Sequence, residues 1–180
     1  DAPFTGILEI FPCRAGGSDY FGNYINGKLT IFNGYYTIVQ GDVYGNNNRE
    51  LHLPIGPYNM VYWGTPKHEE PIHNSPEINS PGIVKGANLA DMYFSLRPYG
   101  DGTYKPVYDL VHAVQETRIG SEELHTGLIR VSAGLIVNLR QKDNAVFNSN
   151  VKSVKVQIGG IAEKLNFYTA APVNQTKTVR

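Results

Sequence analysis

The densest cluster of chemistry-bearing side chains is His68-Glu69-Glu70 together with His73. Imidazole and carboxylate in one place suit zinc or a similar ion. This cluster sits in a stretch where Pro66, Pro71, Pro76 and Pro81 fall five residues apart. That spacing matches neither helix nor strand, and a polyproline helix repeats every three. A long irregular loop at 65–82 is expected, with these side chains solvated, because loops seldom preorganise metal ligands. Glu69-Glu70 and Glu122-Glu123 are adjacent pairs, which extended backbone points in opposite directions. An acid/base dyad needs its members facing each other across a bond. No Gly-x-Ser-x-Gly elbow is present, and Ser75 and Ser80 each precede a proline in the loop. Asp42 and Asp101 match no calcium loop. The segment Gly16-Gly17-Ser18-Asp19-Tyr20-Phe21-Gly22 lacks the spacing and following helix of a pyrophosphate site. Cys13 has no neighbour that would activate it beyond Arg14. His52 and His112 fall inside strand patterns, where packed or surface imidazoles are the default. Asn174-Gln175-Thr176 fits the N-glycosylation acceptor pattern, which has meaning only in a eukaryotic secretory context. No catalytic, cofactor-binding or metal-ligating set is expected, and the chain reads as a non-enzyme.

The composition narrows the partners. The chain has 180 residues, with 16 basic and 16 acidic side chains. Zero net charge disfavours nucleic acid, whose binders carry a basic excess, and a polybasic membrane-surface role. A single domain of this size buries roughly 70% of the surface of its unfolded chain and needs no staple. Cys13 stands alone, so there is no internal disulfide. The longest apolar run, 127–139, is broken by Arg130, Ser132 and Asn138, so no transmembrane segment is expected. Twelve Tyr, 19 Gly and 11 Pro suit pleated surfaces punctuated by turns.

The elements that must position anything here are strands. Leu8 and Ile10 alternate with Glu9. Runs at about 24–32 and 35–42 flank Asn33-Gly34, a strong hairpin signal, and are expected to pair. Tyr58 to Trp63 is nearly all apolar and reads as a strand buried on both sides. Met92, Phe94 and Leu96 mark another strand. Asp101-Gly102 forms a turn, followed by Tyr108, Leu110, His112 and Val114 on one face. Ile129, Val131, Ala133, Leu135, Val137 and Leu139 form an unbroken period-two stripe, the clearest strand signal in the chain. Val154, Val156 and Ile158 are expected to turn at Gly159-Gly160 and pair with Leu165 and Phe167. No helical period is sustained. The expected fold is all-β, a two-sheet antiparallel sandwich over 1–171, with 172–180 a polar tail or linker.

Three segments carry a family likeness. Leu51-His52-Leu53-Pro54-Ile55-Gly56-Pro57-Tyr58-Asn59-Met60-Val61-Tyr62-Trp63-Gly64 resembles the L-x-LP-x-G-x-Y stretch, ending in W-G, of the fimbrillin-like proteins of Bacteroidales, subunits of type V fimbriae. Val107-Tyr108-Asp109-Leu110-Val111-His112-Ala113 resembles their D-L strand, and Leu128-Ile129-Arg130-Val131-Ser132-Ala133-Gly134-Leu135-Ile136-Val137 the L-x-R-x-x-A-x-(apolar)-x-V strand that follows. Order and spacing agree from about 50 to 168. The resemblance implies a transthyretin-like Greek-key sandwich and export as a lipoprotein precursor to the outer membrane. It also implies a structural or adhesive role in cell-surface fimbriae. Partners would be other subunits, joined by donor-strand exchange once a protease removes the first strand, and surface ligands of host or bacterium. The likeness is to the N-terminal one of two domains, and it leaves shaft, anchor or tip open. A rival reading is a surface carbohydrate-binding module, with exposed Tyr and Trp63 as stacking platforms. Another is a secreted hydrolase pairing Ser or Asp with His112 or His73.

Overall fold

The structure is a computed structural model that describes all residues except 1, 32–33, 45–49, 67–71, 73–76 and 121–122. It is an all-β sandwich that includes two 3₁₀ turns, Leu89–Asp91 and Lys142–Asn144. The larger sheet is built from β1 (Gly6–Arg14), β4 (Tyr36–Val39), β5 (Asp42–Tyr44), β6 (Gly56–Thr65), β9 (Val111–Ile119) and β10 (Ile129–Arg130), in the order β10-β9-β6-β1-β4-β5. The facing sheet orders β13 (Pro172–Val173), β12 (Lys164–Asn166), β8 (Tyr93–Leu96) and β7 (Ile78–Asn79). Two ribbons complete the fold, β2 (Asn23–Ile25) with β3 (Lys28–Thr30), and β11 (Ile158–Ile161) with β14 (Lys177–Val179). Every pairing between named strands is antiparallel.

The core lies between the sheets. Phe11, Cys13, Val61 and Trp63 of the larger sheet meet Ile78, Phe94 and Phe167 from the other side. The ring of Phe94 stands edge-on to Trp63 at 4.7 Å, the arrangement aromatic quadrupoles favour. The outer face of the larger sheet is also covered. Leu8, Met60, Tyr62 and Ala113 pack there against Phe4, Phe21, Leu53 and Leu128. This double cover explains why β6 is buried from Tyr58 to Thr65, as its continuous apolar run implies. Gly64 is required where β6 crosses β1 and β9. A Cβ there would lie 2.9 Å from the Ile7 carbonyl oxygen and from Val111 Cγ2.

Several pairings differ from expectation. The runs at 24–32 and 35–42 do not pair with each other. β2 and β3 turn instead at Asn26-Gly27, both with positive φ, while β4 and β5 turn at Gln40-Gly41. Positive φ at both central residues defines the twist-compatible hairpin turn, and Asn26-Gly27 supplies it with Ile25 opposite Lys28. The Asn33 half of the other Asn-Gly pair lies outside the described residues. Within 65–82, Ile78–Asn79 is a strand and Ile72 is fully buried. β11 and β12 do not form the expected hairpin, since β11 pairs β14 and β12 lies between β8 and β13. Residues 172–179 carry two strands, with Val179 buried, in place of a loose tail.

The largest departure concerns the 129–139 stripe. Only Ile129 and Arg130 pair, opposite His112 and Val111. Val131 N–H reaches the Leu110 carbonyl at 2.9 Å. There the ladder stops, because the Ser132 hydroxyl accepts the Leu110 N–H at 2.8 Å in place of a backbone carbonyl. Arg130 pairs with Asp109 at 3.3 Å, pinning this departure point. Beyond it, Leu135, Ile136, Val137 and Leu139 are exposed, as are Val146, Phe147, Val151, Val154 and Val156.

Candidate assembly surface

The residues that sequence spacing singled out for chemistry do not converge. Among the described residues no three His, Cys, Asp or Glu side chains are placed to hold a metal ion. His68, Glu69, Glu70 and His73 lie outside the described residues, as does Glu122. Glu123 is exposed and lies 3.8 Å from His125. His52 and Glu50 make a similar exposed pair at 3.4 Å. Each such surface pair contributes little.

His112 is buried in β9, with its ring 4.6 Å from that of Trp63. Burial pushes its pKa down to about 4, partly opposed by a hydrogen bond with the Tyr168 backbone. The imidazole is therefore neutral near pH 7, and its Nε2 has no hydrogen-bond partner. Among the described residues no Ser hydroxyl or Asp carboxylate engages that nitrogen, and His73, the other histidine of the hydrolase reading, lies outside them. Cys13 is fully buried, and its thiol pKa is pushed up to about 12 by burial and by the nearby Asp19 charge. Its Sγ–H points to the Phe11 carbonyl at 3.7 Å. Gly16-Gly17 serves as a strand connection. Gly17 N–H donates to Arg14 and its carbonyl accepts from Asn59 Nδ2 at 2.8 Å.

The aromatic residues serve the core more than the surface. Trp63 is fully buried, and its Nε1–H donates to the Phe167 carbonyl at 2.8 Å. It is thus no platform for a sugar ring, which removes the main support of the carbohydrate reading. Tyr20, Tyr58 and Tyr62 are buried. Three more outward rings have a cation over the face: Lys164 on Tyr93 at 4.2 Å, Arg180 on Tyr99 at 4.4 Å and Lys177 on Tyr104 at 5.5 Å. Arg180 also pairs with Asp101 at 3.0 Å. Thr103 and Arg180 together hold the Asp101 carboxyl below its usual range. Asn174 is engaged by Glu163 and Thr176, and it adopts a positive φ.

What the structure does assemble is a set of strand edges and one central strand. β1 lies between β4 and β6 and pairs with β6 from Ile7 to Arg14. Its Ile7, Leu8, Phe11 and Cys13 are buried on the two faces of the sheet. The edges of the smaller sheet are blunted. β13 begins with Pro172, which offers no N–H, and Arg97 Nε donates to the Ile78 carbonyl of β7 at 2.9 Å. The larger sheet is different. Its β5 edge exposes Val43 and Tyr44 beside Val39, and its β10 edge runs into the exposed apolar stretch. Sequence reasoning missed both edges, because alternation marks a strand without saying whether a neighbour covers it.

No helix among the described residues is long and apolar enough to cross a membrane. No curated protein and no solved structure matches the chain. A family model described as fimbrillin-A associated anchor proteins Mfa1 and Mfa2 matches residues 2–180. With nearly its whole length inside that match and an all-β sandwich to go with it, the chain belongs to the family of fimbrillin-A associated anchor proteins.

Proposed function

We propose that this chain is a structural, non-enzymatic subunit of cell-surface fimbriae and joins its neighbours by β-strand addition. The observation that carries the reading is the place of β1. A strand held between β4 and β6 leaves a groove when it departs, with the unpaired backbone of those two strands on either side. A donated strand would restore those hydrogen bonds and refill the positions of Ile7, Leu8 and Phe11. Family membership supports the subunit role. In this reading the protein reaches the surface as a lipoprotein precursor at the outer membrane.

The test is made in the native cell. Deleting the gene should change the number, length or attachment of surface fimbriae, and an epitope-tagged copy should co-purify with them. Wild-type fimbriae in the deletion strain, with the tagged protein absent from purified polymers, would refute the subunit role.

A further inference from the structure

The stretch from 129 to 157 leaves the sheet after β10 and exposes a run of large apolar side chains, with Leu135 at 65%, Ile136 at 85% and Val146 at 91%. Exposed apolar surface on this scale marks an interaction site. The charges say with what. Residues 129–157 hold five basic side chains and one acidic, whereas 1–128 hold eight basic and fourteen acidic. Two such arms brought together would repel, but an arm and the body of another copy attract. The body also offers an edge of the right kind. Among the described residues β5 pairs on one side only, with Val43 and Tyr44 exposed and Asp42 between the turn and Val43.

We propose that the 129–157 arm of one copy docks on the β5 edge of a second copy of this chain. This adds a contact between copies at the β5 edge, apart from the β1 groove, and rests on the subunit reading above. The alternation of Leu135, Val137 and Leu139 supplies one face to meet Val43, and Arg140 on the other face suits Asp42. β10 and β5 are opposite edges of one six-stranded sheet, about 24 Å apart at ~4.8 Å per strand step. A copy docked through its arm alone keeps its own β5 edge free for the next arm, so the contact propagates from copy to copy unless two copies dock reciprocally.

The test uses the purified full chain carrying Val43→Cys and Val137→Cys, both at exposed positions, under mild oxidation. Cys13 is buried and stays out of the reaction. A ladder of disulfide-linked multimers is expected from the double variant, with each single variant remaining monomeric. Monomers from the double variant, or dimers from Val137→Cys alone, would overturn the proposal. In parallel, sedimentation velocity of the unaltered chain should show self-association that weakens between about 50 and 500 mM salt. The variant Leu135→Asp/Val137→Asp should abolish it while Trp63 emission stays that of the folded protein. An unaltered chain that is monomeric at every concentration overturns the proposal as well. Absence of the ladder alongside incorporation into fimbriae would refute this contact alone. A ladder with no incorporation would refute the fimbrial role alone.

Discussion

Removing residues 1–14 deletes β1 and should unfold the domain unless another strand takes its place. Ile7, Leu8 and Phe11 are at most 9% exposed. Burying side chains of this kind stabilises by roughly 1.5–3 kcal/mol each, so the three contribute roughly 5–9 kcal/mol. The deletion also strands the hydrogen-bonding groups of β6 from Tyr58 to Thr65 on one side. Domains of this size are stable by only about 5–15 kcal/mol, so the loss is comparable to the whole. The chain starting at residue 15 should therefore show no cooperative unfolding in urea, with Trp63 emission shifted to the red. A synthetic peptide covering 4–14, added in excess, should restore the blue-shifted emission saturably. The reasoning fails if the truncated chain unfolds cooperatively within about 2 kcal/mol of the full chain. That result would mean the sheet closes without its central strand and that no groove is on offer.

The remaining predictions concern single groups. His112 has a folded pKa of about 4, below the ordinary 6.5, so the unfolded chain binds the proton more tightly. Its contribution is fully present above pH 6.5 and is lost as pH falls toward 4, by about 3 kcal/mol in all; His112→Phe should flatten that part of a stability-versus-pH curve. The Cys13 thiol, raised from 9.0 to about 12, should react with an aromatic disulfide reagent about a thousandfold more slowly in the folded chain than in the unfolded one, measured by stopped-flow absorbance. Fast labelling of the native protein would contradict its burial. Gly64→Ala should cost about 1–3 kcal/mol in chemical denaturation, because the new methyl meets the Ile7 carbonyl, which cannot rotate away.

Much of the framework was legible in residue order. The apolar run from Tyr58 to Trp63 announced a strand covered on both faces, and β6 is that strand. Alternation at Phe94 and Leu96 announced β8. The three segments resembling fimbrillin-like proteins agree with the family match over residues 2–180. These features are local: period, run length and turn chemistry act within a few residues. The assembly surface was less legible. Nothing at 129–139 taken alone says that the Ser132 hydroxyl will take the Leu110 N–H and end the ladder.

Sequence by itself determined that this chain would be β and that Tyr58 to Trp63 would be a strand buried on both sides. Tertiary structure alone decided which strands meet. It chose Asn26-Gly27 for a hairpin, put β1 between β4 and β6, and left Val43, Tyr44 and the apolar side chains from Leu135 to Val156 exposed. The physical reason is that a strand's hydrogen bonds are satisfied by residues far away in the chain. Alternation can permit a pairing, but only the competition among all edges selects it.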